Sequence, residues 1–190
     1  MNRKILSDLG DYLLAHREEI VGEWLRAVEQ DPDISSSDYL KDKEALRDHL
    51  PGLCQNLAEL LKSPQSDQIR AEISRAARVH GKYRWLQGYR LEEVIREASV
   101  VRRIISHDWL DVYARKVPKL DGKTRRVTEN IIHQAVDDVV SDSAKQFAEE
   151  QLKATNHLNS LLADALAEVR HQKEAATATK TTKKRKRPTR

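Results

Sequence analysis

Apolar residues recur along most of this chain at intervals of three and four, the period of a helix with one buried face. Residues 2–29 set Ile5, Leu9, Leu13, Ile20, Trp24 and Val28 near that spacing, which predicts one helix or a pair of helices. "DPDISSS" at 31–37 breaks the pattern, and Ser36 or Ser37 then caps a second helix reaching about residue 62. Its apolar face is carried by Leu40, Leu46, Leu50, Leu53, Leu57, Leu60 and Leu61, and Pro51 is expected to kink it, because proline lacks the amide donor and crowds the preceding turn.

"KSPQS" at 62–66 supplies the next break, with Ser63 as cap and Pro64 at the first helical position. Ile69, Ile73, Ala76, Ala77 and His80 share one face of a third helix, and Gly81 is a candidate left-handed terminal residue. On that reading His80 stands in a last helical turn, where a charged imidazole favours the negative end of the helix dipole. A fourth helix is expected from Gly88 to about Val117, with Leu91, Val94, Ile95, Ala98, Val101, Ile105 and Trp109 inward and "VPKLDG" ending it.

Thr124 to about Lys173 contains neither proline nor glycine. Such a helix would be roughly 75 Å long, at about 1.5 Å per residue, which exceeds what a compact domain covers. Its first half carries a core stripe of Val127, Ile131, Ala135, Val139 and Phe147. Its second half carries Leu158, Leu162, Ala165 and Val169, a seam suited to a short coiled coil, so this half is expected to protrude and pair with a second copy as a homodimer. A helix folded back on the bundle is the alternative. The expected organisation is a helical domain over 1–150, a protruding coiled-coil half over 151–174, and a disordered basic tail over 175–190.

Composition sharpens this picture in two places. Only six glycines and five prolines occur, and β-branched runs are scarce, so the fold class is all-α and no strand is expected. All 30 acidic residues precede Lys180, whereas residues 180–190 hold seven of the 34 basic ones, leaving 27 basic residues and a net charge of −3 before the tail. Lys180, Lys183, Lys184, Arg185, Lys186, Arg187 and Arg190 therefore form a phosphate-binding candidate for non-specific nucleic-acid association, or for an anionic membrane surface. No aromatic is interleaved for base stacking, so specific readout is not expected.

Candidate chemistry is sparse. Cys54 is the single cysteine and falls on a leucine-rich face, which excludes an intramolecular disulfide and a thiolate zinc cluster. No glycine-rich phosphate loop, G-x-S-x-G elbow or H-E-x-x-H occurs, and no apolar run approaches a membrane span, so a non-enzyme without cofactor or metal is expected in the cytoplasm. His80 lacks the partners that a zinc or haem ligand needs. His157 reads as an exposed linker histidine rather than a phosphoacceptor. The four-residue steps from His80 to Arg84 to Gly88 suggest a tight junction, with Gly88 allowing close backbone approach. Arg102 adjoins the inward face of the fourth helix and wants an acidic partner, Glu97 or another acid.

The stretch "HGKYRWLQGYRLEEVIREASVVRR", residues 80–103, resembles the N-terminal sensor domain family of the stressosome co-antagonist RsbRD, also found ahead of bacterial histidine kinase and anti-sigma-antagonist modules. His80, Gly81, Arg84, Gly88, Glu97 and Arg102 carry the resemblance, and Ala98 departs from it where an aromatic is expected. The resemblance implies a globin-like helical bundle without haem, a sensory pocket at those residues, dimerisation, and a signal passed along the C-terminal helix to a histidine kinase or anti-sigma-antagonist type partner.

Overall fold

The computed structural model describes residues 3–34, 47, 49–117 and 120–185, with side chains up to residue 174. Among them there is no strand: the fold is all-α. The helices are α1 (Arg3–Ala15), α2 (Arg17–Glu29), α3 (Leu50–Lys62), α4 (Asp67–Leu86), α5 (Leu91–Arg103), α6 (Leu110–Lys116) and α7 (Gly122–Arg185), with a π-helical segment, Ile104–Trp109, between α5 and α6. The chain divides into two compact units, Met1–Ala148 and Glu149–Arg190.

The first unit is built on one apolar cluster, in which Leu6, Leu9, Leu13, Ile20, Leu57, Leu60, Leu61, Ile73, Ile105 and Leu110 are almost wholly removed from water. All but Leu6 and Leu110 are residues that the three-and-four spacing marks. Helices α1 and α2 separate at His16, whose Nδ1 lies 2.9 Å from the Tyr12 carbonyl oxygen. Pro51 does not kink a helix interior: it occupies the first turn of α3, where its missing amide costs nothing. The cap residues Ser36 and Ser37 lie outside the described residues. Ser63 ends α3 instead of starting α4, its amide donating to the Glu59 carbonyl, and Ser66 is the actual cap, its hydroxyl accepting from the Ile69 amide at 3.3 Å.

Gly81 and Gly88 exchange the roles expected of them. Helix α4 passes through Gly81 and ends at Leu86. Gly88 takes the left-handed conformation, φ 74°, and closes a Schellman motif: the Tyr89 amide donates to the Arg84 carbonyl and the Gly88 amide to the Trp85 carbonyl, each at 3.0 Å. Gly81 is where two backbones approach, since a Cβ there would stand 2.2 Å from the Ser143 carbonyl oxygen of α7. The Ser143 hydroxyl donates to the Ala77 carbonyl at 2.9 Å across the same crossing, and the Ser74 hydroxyl donates to Asp142 at 2.6 Å.

The fourth expected helix contains the π segment, whose wider turn lets both Ile104 and Ile105, then both Trp109 and Leu110, face the core. Ile95, expected inward, is 40% exposed, whereas Glu97 is buried. Asp121 starts α7, accepting from the Thr124 amide at 2.6 Å, and this bond holds its carboxyl below the ordinary carboxylate range.

In the second unit α7 continues as helix through Arg185. Residues 175–185, expected to be disordered, are therefore helical in backbone.

A buried ionic cluster beside an apolar cavity

Two elements bring His80, Arg84 and Glu97 together. One turn of α4 separates His80 from Arg84 on a single face, and α5 presents Glu97 to that face. Arg84 Nε donates to Glu97 Oε2 at 2.9 Å, with the two side chains 1% and 3% exposed. His80 Nε2 lies 3.6 Å from the same oxygen. The Arg84 fork is engaged further: Nη1 donates to Gln87 Oε1 at 2.7 Å, and the guanidinium carbon stands 4.8 Å from the centre of the Tyr89 ring. Because Gly88 turns the chain directly after α4, Gln87 and Tyr89 fall back on Arg84.

Burial sets the electrostatics of this cluster. It lifts the Glu97 carboxyl above its ordinary range, while the charge and hydrogen bond of Arg84 pull the other way. Burial also pushes His80 well below the usual histidine range, reinforced by the Arg84 charge and by His49, so its imidazole is neutral at neutral pH. The expectation of a charged, helix-terminal His80 is thereby corrected: the residue sits a turn and a half before the end of α4, inside a desolvated cluster. The His49 ring meets it edge-on, with centroids 5.5 Å apart.

Beside the cluster lies a cavity of about 60 Å³. Its wall is mostly apolar, formed by Leu50 and Leu53 of α3, Ile73 and Ala77 of α4, Ala98 and Val101 of α5, and Val136 and Val139 of α7, with Trp24 of α2 completing it. His49, Asn56, His80, Arg84 and Glu97 supply its polar side. Trp24 Nε1 donates to the Glu97 backbone carbonyl at 3.3 Å, tying α2 to the same point of α5. Two polar atoms of the cluster, Glu97 Oε1 and His80 Nδ1, are buried without a hydrogen-bond partner.

Of the six residues singled out in the sequence, three thus meet in the cluster and two glycines position them. Arg102 does not join: it pairs with Asp137 of α7. Sequence reasoning missed Gln87, Tyr89 and His49, and only their closeness in sequence to Gly88 or to Pro51 signalled anything about them. Cys54 is buried and its thiol pushed up to about 12 by that burial, so it packs as a small hydrophobe.

On the second unit, Leu158, Leu162, Ala165 and Val169 are all exposed, and so are Leu152, Leu161 and Leu166. His157 is exposed as expected. Lys180, Lys183, Lys184 and Arg185 fall on the helical backbone, whereas Lys186, Arg187 and Arg190 lie outside the described residues. No helix among the described residues is long and apolar enough to cross a membrane. No protein family, curated protein or solved structure matches this chain.

Proposed function

We propose that this chain is a non-catalytic signalling module of the RsbRD N-terminal, globin-like sensor type, which pairs with a second copy and relays a change in its bundle along α7. One observation carries this reading: a single unbroken helix supplies Val136 and Val139 to the cavity wall and, further along, bears a stripe of exposed leucine and valine. At 3.6 residues per turn, Leu158, Leu161, Leu162, Ala165, Leu166 and Val169 fall within an arc of about 140°. Monomeric helices do not keep so continuous an apolar face in water. The arc is wider than a strict coiled-coil seam, so Leu161 and Leu166 flank the contact made by Leu158, Leu162, Ala165 and Val169.

Leu162→Asp places a charge at the centre of that stripe. The expected result is a monomer by light scattering with helicity unchanged by circular dichroism. Dimers that persist in the variant, or a wild-type protein that is monomeric at micromolar concentration, refute the seam.

A further inference from the structure

We infer that the cavity beside Glu97 is a binding site for a small neutral molecule with an apolar body and a hydrogen-donating head, of the class of short alcohols and primary amides. The site's volume, charge and unpaired atoms each restrict the ligand. A single ordered water needs roughly 10–15 Å³ and two to four polar partners. The cavity offers about 60 Å³. One water satisfies the polar corner, but further waters would face Leu53, Ile73, Ala98, Val101 and Val139 without partners. A body of carbon atoms fits that wall; scaled against the 150 Å³ cavity that holds benzene, the room suits about two to four non-hydrogen atoms. Ala98 makes this room, since its short side chain stands at the wall directly after Glu97.

Among the described residues the charge inside is balanced. Arg84 pairs with Glu97, and His80 is neutral, so a bound cation would meet Arg84 and a bound anion would meet Glu97, each stripped of water. The hydrogen-bond sense is set by the two orphaned atoms. Glu97 Oε1 accepts. His80 with its proton on Nε2, the nitrogen facing the Glu97 carboxylate at 3.6 Å, leaves Nδ1 as an acceptor as well. A ligand head at these two atoms must therefore donate, and a hydroxyl or an amide NH₂ does so.

This inference deepens the sensor reading and rests on it only for what binding accomplishes; the site itself is tested separately. The intact chain, with ¹³C-labelled methyl groups, is titrated with propan-2-ol and with acetamide, and in parallel with xenon, acetate and methylammonium. Saturable shifts of the Ala98, Val101 and Val139 methyls are expected for the neutral donors, with dissociation constants around the millimolar range that suits ligands of this size. Xenon is expected to bind at least threefold more weakly, and the ions not at all. Ala98→Phe, or Ala98→Leu where the larger ring prevents folding, fills the cavity and should abolish the response with circular dichroism unchanged. The proposal is overturned by the absence of a saturable response to both neutral donors, by equal binding of xenon or of either ion, or by a response that survives the filled cavity. Light scattering of the same samples reports the dimer independently, so a monomer that binds propan-2-ol retires the relay and leaves the site standing.

Discussion

The Arg84–Glu97 pair is the feature on which the bundle's stability should depend most sharply. Both side chains are removed from water, at 1% and 3% exposure, and they meet at 2.9 Å. Arg84→Met keeps an unbranched apolar stem and deletes the charge, leaving Glu97 buried without its partner; such a loss typically costs about 3–5 kcal/mol. Against a total stability of about 5–15 kcal/mol for a domain, that is a fifth of the whole or more. With an m-value near 2 kcal/mol per molar urea, the midpoint should fall by about 2 M. Arg84→Met/Glu97→Leu removes both charges and should recover most of the loss, because the desolvation cost of each ion disappears with it. Urea denaturation of the four proteins, followed by circular dichroism, closes the cycle. Because the pair is dry, 1 M salt should leave the coupling largely intact. Single variants within about 1 kcal/mol of wild type, or a double variant whose loss equals the sum of the singles, would show that the pair is not the buried, mutually dependent unit described above.

Two further predictions concern the same region. The unfolded chain protonates His80 near its ordinary value of 6.5, whereas the folded chain resists protonation to a lower pH, so stability should decline as pH falls below 6.5. Glu97 acts in the opposite sense, since its raised folded-state pKa adds stability as pH falls toward 4.5. Thermal melts from pH 7.5 to 5.5 should therefore show a loss in wild type that His80→Asn reduces; equal slopes in the two proteins would contradict a buried neutral imidazole. Gly81→Ala, which in an ordinary helix interior gains up to about 1 kcal/mol, should instead destabilise by about 1–3 kcal/mol, because the new methyl meets the Ser143 carbonyl of α7. A Gly81→Ala protein as stable as wild type in urea would mean that the α4–α7 crossing separates freely.

The helical character of the chain and most of its core faces were legible because a buried stripe repeats locally. Leu9, Leu13, Ile73, Val101, Ile131 and Phe147 are buried where spacing places them. The errors arose where tertiary contact decides. Gly81 and Gly88 are seven residues apart, and either could end a helix; only the Ser143 backbone, distant in sequence, shows which one is wanted for close approach. Glu97 is buried because Arg84 on another helix makes a carboxylate welcome there, a pairing that hydropathy does not encode. The π segment admits an extra residue to the buried face without any distinctive composition. Arg102 was read correctly as wanting an acid, and the acid proved to be Asp137.

The cavity's size limits how a relay through α7 is able to work. Reversing a two-state population from 1:99 to 99:1 demands about 10⁴-fold differential affinity, or roughly 5.5 kcal/mol. A ligand of three or four non-hydrogen atoms, at a ceiling of about 1.5 kcal/mol per atom, binds with no more than about 4.5–6 kcal/mol in total. Nearly all of its binding energy would have to discriminate between states, which a cavity already formed in one of them does not require. A swing from 10:90 to 90:10 needs only about 80-fold, near 2.6 kcal/mol, and lies within reach. The two packings of α7 that the proposed relay requires must therefore be nearly balanced before any ligand arrives, with the minor one populated at the level of several per cent. Exchange of that size on the microsecond-to-millisecond scale is visible as relaxation dispersion at the Val136 and Val139 methyls of the ligand-free protein. Dispersion there that is suppressed by saturating propan-2-ol would show the shift directly. Flat profiles at both methyls, in a protein whose cavity nevertheless binds the alcohol, would mean that α7 has one packing only and that occupancy of the cavity is not transmitted along it.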